Sequence, residues 1–216
     1  MQVMEPGSRV TLRDISFDTY RCLLDNYTDQ NTPRFTYDRG TLEIMSPLTR
    51  RHEEANRTLA KIAEMILDAW EWDYVNIGST TFQRADVSQG FEPDTGFYVA
   101  NYASVAGKDE INLAGGDPAP DLIIEVDVSS PSLPRFPIYA AFGVGEIWQC
   151  VGGVVTIAAH TDDSYRPAAE SAAIPGVTPT LLTDWLAASK TMRRALWVGT
   201  LRDWATDHSP DGTAQG

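Results

Sequence analysis

From Arg51 to Trp70 the apolar residues Ala55, Leu59, Ile62, Ala63, Ile66 and Trp70 recur at helical spacing and predict an amphipathic helix of roughly five turns. On that wheel His52 and Asn56 fall inside the apolar stripe, Glu53 sits on its border, and Glu54 points to solvent. Upstream, residues 8–30 predict a polar lead-in and a short helix carrying Phe17, Tyr20, Leu23 and Leu24. The runs Arg34–Tyr37 and Thr41–Met45 alternate with period two around Asp38-Arg39-Gly40, the pattern of a hairpin. Downstream the period changes: Tyr74–Ile77, Thr80–Phe82, Thr95–Val99 and Leu122–Val126 are β-branched or aromatic runs separated by Gly, Pro and Asp, and predict strands. A helix is predicted over Ser132–Phe142, stopped by Gly143, with Pro134 and Pro137 limiting its first turn. Strands Glu146–Val151 and Val154–Ala159 follow, joined across Gly152-Gly153, and helices around Leu181–Ser189 and Met192–Trp204 close the chain. The six tryptophans sit mostly at helix positions suited to packing, and for Trp197 and Trp204, seven apart on the last helix, the alternative is to cover a second copy of the chain.

Length and composition fit one domain spanning residues 1–216, with its core at about 33–160 and its C-terminal helices at about 180–205. The chain is 43% hydrophobic and 22% charged, enough to bury a core. No apolar run approaches the ~18 residues of a membrane span, and the N-terminus lacks the order of a signal peptide, so a cytoplasmic protein without a membrane partner is expected. Cys22 and Cys150 are far apart with no CxxC, which argues against a disulfide framework or thiolate zinc site and predicts two buried small hydrophobes. The 17 Lys+Arg against 30 Asp+Glu give a formal charge of −13, which repels polyanions at long range.

Candidate chemistry sits in two acidic segments, Glu92-Pro93-Asp94 opening one strand and Glu125-Val126-Asp127 closing the next. Side chains alternate along a strand, so Asp121, Ile123, Glu125 and Asp127 share a face, with Glu125 and Asp127 about 6.6 Å apart and Asp121 about 13 Å from Glu125. Glu125 and Asp127 can therefore converge on one hard cation while Asp121 cannot. Leu122–Val126 is too apolar for an edge strand, and an acid inside a central strand is costly unless it is paired or metal-bound. His52 reads as a hydrogen-bonded packing residue with a site role as the alternative, whereas His160 and His208 read as surface residues.

Several ordered segments resemble a known family. They are Tyr37-Asp38-Arg39-Gly40-Thr41-Leu42-Glu43-Ile44-Met45-Ser46-Pro47, His52-Glu53, Gly78-Ser79-Thr80-Thr81, Glu92-Pro93-Asp94, the run from Pro120 to Asp127, and Ile138-Tyr139-Ala140 through to Gly143-Val144-Gly145-Glu146-Ile147-Trp148. Over roughly residues 10–185 the chain resembles the Uma-two family, a branch of the PD-(D/E)XK nuclease superfamily. The resemblance implies a restriction-endonuclease-like α/β fold, a mixed central sheet flanked by helices, here with the N-terminal hairpin as an addition. It implies Asp94 as the motif Asp and Glu125 as the second acid, holding Mg²⁺ (or Mn²⁺), with Asp127 supporting the ion directly or through water and Glu53 as a further ligand. Asp127 stands where the superfamily has a Lys, and Arg135 on the next helix would be the substitute base-side cation. An Arg can stabilise a phosphorane but cannot deprotonate water.

Two readings follow. In one, the protein is a Mg²⁺-dependent nuclease cleaving nucleic acid, DNA before RNA, as a homodimer. In the other it is a catalytically inactive nuclease-like scaffold serving as a binding or dimerisation module. A basic groove beside Asp94 and Glu125, lined by Arg84, Lys108 or Arg135, would favour the first.

Overall fold

The computed structural model describes residues 8–27, 33–46, 49–126 and 133–210. Two sheets and six α-helices are present among them. The first sheet is antiparallel and runs β1-β3-β2-β6-β5, from β1 (Arg9–Leu12), β2 (Arg34–Asp38), β3 (Thr41–Met45), β5 (Phe82–Arg84) and β6 (Gln89–Phe91). The second runs β11-β10-β9-β8-β7-β4, from β4 (Val75–Gly78), β7 (Thr95–Tyr98), β8 (Leu122–Val126), β9 (Glu146–Val151), β10 (Val154–Thr161) and β11 (Ser164–Pro167). Its β8–β9 pair is parallel and the others antiparallel, making the sheet mixed. A parallel pair needs a crossover, and the connection holds one helix. The helices are α1 (Phe17–Asn26), α2 (Arg50–Ala69), α3 (Tyr102–Val105), α4 (Phe136–Phe142), α5 (Pro179–Ala188) and α6 (Arg194–Asp207), with α4 in that crossover.

The mixed sheet flanked by helices is the restriction-endonuclease-like fold. Every residue of β8 is buried, as expected of a strand between two neighbours with both faces covered. Alternation decides which side each residue serves. Leu122, Ile124 and Val126 pack with Leu59, Ile62 and Ile66 of α2 and with Trp148, Trp185 and Leu201. Ile123 packs the other way, with Ile138, Tyr139 and Phe142 of α4 and with Phe91.

Several expectations are corrected. The hairpin of β2 and β3 is not a two-stranded addition but the middle of the first sheet, because β1 adds to one side and β6 to the other. The helix predicted from Ser132 begins at Phe136, with Pro137 in its first turn where a missing N–H costs nothing; Ser132 lies outside the described residues. Cys22 is exposed on α1, while Cys150 is buried. Trp197 and Trp204 face inward: Trp197 Nε1 donates to the Trp185 carbonyl, and the Trp204 ring packs on Trp185 and Trp70. Trp197, Leu201 and Ala205 of α6 pack with α2 and α5, while Leu196 on the same helix is 59% exposed. His160 lies half-buried in β10 against Tyr165, whereas His208 is exposed and stacks on Trp204.

Candidate active site

The chain passes from the first sheet to the second at Glu92-Pro93-Asp94, between β6 and β7. Asp94 therefore sits where the two sheets meet. Four groups fix it there. Asn56 of α2 donates from Nδ2 to the Asp94 carbonyl (3.2 Å) and accepts from Thr95 Oγ1 (2.9 Å), tying the helix to the link. The Asp94 carboxylate accepts the Val126 N–H (2.7 Å) at Oδ2, which also lies 3.1 Å from His52 Nε2. Its Oδ1 is ion-paired with Arg34 of β2.

Register brings Glu125 alongside. Thr95 pairs with Ile124 in the antiparallel β7–β8 ladder, so Asp94 and Glu125 are the next positions along the two neighbouring strands. Glu125 points to the α4 side, where Tyr139 Oη donates to its Oε1 (2.6 Å) and Arg135 to its Oε2 (3.0 Å). The same guanidinium donates to Glu43 Oε1 of β3 (3.2 Å), so Arg135 bridges an acid from each sheet. Burial disfavours the charge on Arg135, but the adjoining Tyr139, Glu125 and Glu43 oxygens outweigh it, and its pKa is raised. Burial, then the Glu125 charge, pushes Tyr139 well above the usual phenol range, so it stays a proton donor. Burial pushes Glu92 up to about 6 even though Arg34 lies 3.7 Å away.

Four carboxylates, Glu43, Glu92, Asp94 and Glu125, thus meet two guanidinium groups, Arg34 and Arg135, an acid surplus of 4 − 2 = 2 when all are ionised. Hard oxygen donors with surplus negative charge are the donor chemistry of a Mg²⁺ or Mn²⁺ site. Among the described residues, no three His, Cys, Asp or Glu side chains already converge as a metal cage. The residues fit a divalent cation by donor type, with two carboxylates supplied here and the remaining coordination left to water.

Residues 17–186 match the family described as "Uma2: Putative restriction endonuclease". The chain belongs to the Uma2 family. No curated protein matches it in sequence. A crystal structure described as "a putative nuclease belonging to DUF820", from Anabaena variabilis ATCC 29413, is similar at 13% identity with a TM-score of 0.52, covering 80% of this chain and 99% of that one. That likeness carries the fold.

Set on the Uma2 frame, the sequence expectations separate. Asp94, Glu125 and Arg135 are brought into one buried cluster, and His52 joins it through Asp94. Asp127 lies outside the described residues. Glu53 does not enter the cluster: its carboxylate lies 3.7 Å from Arg57 Nε one turn along α2, with a side chain 39% exposed, because its border position turns it outward. Asp121 is structural, accepting from Val99 N, Asn101 N and Asn101 Nδ2 at 2.7, 2.9 and 2.6 Å. Arg84 and Lys108 are held by Asp86 and Asp117. Glu43, Arg34 and Tyr139 are the members that sequence reasoning did not assign. The signal for Glu43 was its place between Leu42 and Ile44 in a strand otherwise apolar, but alternation alone does not say that its face meets a second sheet.

Proposed function

We propose that this Uma2 chain is a nuclease that hydrolyses phosphodiester bonds, DNA before RNA, with Mg²⁺ or Mn²⁺, acting as a single-domain, cytoplasmic homodimer. The observation that supports it most is the pairing of Asp94 and Glu125 as buried carboxylates on adjacent strands, in a family described as "Putative restriction endonuclease". Asp94 and Glu125 would hold the cation, with Asp127 supporting it directly or through water. Such an ion, when bound, lowers the pKa of its water and polarises a phosphate oxygen. The chain's own groups have separate tasks. The Val126 N–H, His52 and Arg34 orient Asp94; Tyr139 holds its proton at Oη and thereby orients Glu125. Arg135 supplies fixed positive charge next to the site and takes no proton from water.

One observation favours the second reading, a nuclease-like scaffold without activity. Each oxygen of Asp94 and Glu125 already faces a protein donor or cation, with Arg135 set between Glu125 and Glu43. The test is cleavage of single-stranded, duplex and structured DNA and RNA with and without Mg²⁺ or Mn²⁺. Metal-dependent cleavage by the wild type that is lost in Glu125→Ala is expected. No cleavage of any substrate with either ion refutes the nuclease.

A further inference from the structure

The opening turns of α2, the tip of the β9–β10 hairpin at Gly152-Gly153 and the corner between α5 and α6 enclose a groove of about 810 Å³. Four cations line it, Arg51 and Arg57 from α2 and Lys190 and Arg194 from the corner, and all four are exposed. The acid among the lining residues is Glu54, which is engaged by Arg50 at 2.6 Å, and Glu53 beside the groove lies 3.7 Å from Arg57. In a chain of formal charge −13 this is a local reversal of sign. The N-terminal end of the 20-residue α2 adds the positive pole of its dipole to the same wall.

The groove shares two wall residues with the acid cluster. His52 lines it and reaches Asp94 Oδ2 at 3.1 Å, and Val126, whose N–H holds that same oxygen, lines it too. Spacing argues for an extended ligand. Arg51 and Arg57 are six residues apart, about 9 Å along the helix axis, which spreads their charge along the groove wall. Lys190 and Arg194 supply charge from a second element on the other side.

We propose that this groove binds the phosphodiester backbone of a nucleic acid. The inference rests on the nuclease reading for its ligand class but not for its test. Binding is read in EDTA, by fluorescence anisotropy of labelled single-stranded and duplex DNA of about 20 nucleotides, across about 50–200 mM salt. The variant Arg57→Ala/Lys190→Ala/Arg194→Gln should bind at least about tenfold more weakly and flatten the salt slope by up to about 0.9 per phosphate contact removed on duplex, or about 0.7 on single strands. A control variant, Arg13→Ala/Arg166→Ala/Arg202→Ala, removes the same charge from exposed positions outside the groove and should bind as the wild type does. Circular dichroism melts of both variants establish that they fold. Equal losses in the two variants would mean diffuse attraction and overturn the groove, as would a wild type that binds neither DNA at low salt. Binding in EDTA that depends on the groove, together with no cleavage under Mg²⁺ or Mn²⁺, supports the groove and refutes the nuclease. Cleavage with an unchanged KM in the groove variant does the reverse.

Discussion

Replacing Arg135 by Met removes one buried cation and strands two buried acids. The Arg135 side chain is 6% exposed and its partners Glu125 and Glu43 are 3% and 1% exposed, at 3.0 and 3.2 Å. Breaking a buried ion pair from one side costs about 3–5 kcal/mol, because the remaining charge is left uncompensated. Against a total stability of roughly 5–15 kcal/mol, that is enough to populate the unfolded chain. The cost should depend on pH with a definite sign. In Arg135→Met two buried carboxylates lose their counterion, and burial without one disfavours the charged form, so the native state gains from taking up protons. Stability then falls as pH rises and is regained as pH drops. Urea unfolding followed by tryptophan fluorescence in EDTA, near pH 8 and near pH 5, measures both quantities. The wild-type-to-variant gap should be about 3–5 kcal/mol near pH 8 and clearly smaller near pH 5. Adding Glu125→Gln to Arg135→Met should recover part of the loss. A gap below about 1 kcal/mol near pH 8, or one that ignores pH, would show that Arg135 does not compensate these acids.

Three further predictions separate scaffold from chemistry. Asp121→Ala, which deletes an acceptor for three N–H donors, should cost about 2–3 kcal/mol in thermal melts while leaving calorimetric Mn²⁺ binding unchanged; weakened binding would place Asp121 in the metal site. Burial raises Glu92 to about 6, so its charged form opposes folding above that pH; Glu92→Gln should stabilise the metal-free protein by up to about 2 kcal/mol near pH 7.5 and by nothing near pH 4, and a pH-independent difference would refute the cause. If Asp127 belongs to the site, Asp127→Asn raises the Tm of the metal-free protein and weakens its response to Mg²⁺, whereas melts unchanged with and without Mg²⁺ remove it from the site.

What could be read from the sequence follows the strength of its periodicity. The stripe on α2 predicted 51–70 and the helix spans Arg50–Ala69, and the same wheel put His52 and Asn56 on the buried side. The wholly apolar run of β8 marked a central strand and made Glu125 conspicuous within it. Short edge elements gave no such signal. The strand Arg9–Leu12 pairs only with β3 and leaves three of its four residues exposed, so nothing in its pattern sets it apart from a polar lead-in. Gln89–Phe91 is three residues long with Gly90 at its centre, where Tyr20 packs so closely that an added Cβ would lie 2.3 Å from its hydroxyl. Without that strand the hairpin looks like an appendage, and the half of the site that comes from the first sheet, Glu43 and Arg34, goes unassigned. On α6 the packing reading of the tryptophans holds, because Trp197 and Trp204 meet Trp185 of the chain's own α5.

Net charge was the poorest guide to the surface, and the reason is geometric. A formal charge of −13 is a sum over the whole chain, whereas a ligand within a Debye length of about 8–10 Å responds to the groups beside it. The cations of the groove come from positions 51 and 57 and from positions 190 and 194, two stretches more than 130 residues apart that are unremarkable alone and gain their effect when α2 meets the α5–α6 corner. The acids cluster differently: Glu43, Glu92, Asp94 and Glu125 are buried or nearly so and partly neutralised by Arg34 and Arg135, so they contribute less to the field outside than their number suggests. An acidic protein can therefore present a cationic groove whose wall residues His52 and Val126 also touch an acidic centre. That arrangement suits a polyanion held along its length and opened at one phosphate, and the salt slope in EDTA measures the first half of it separately from the second.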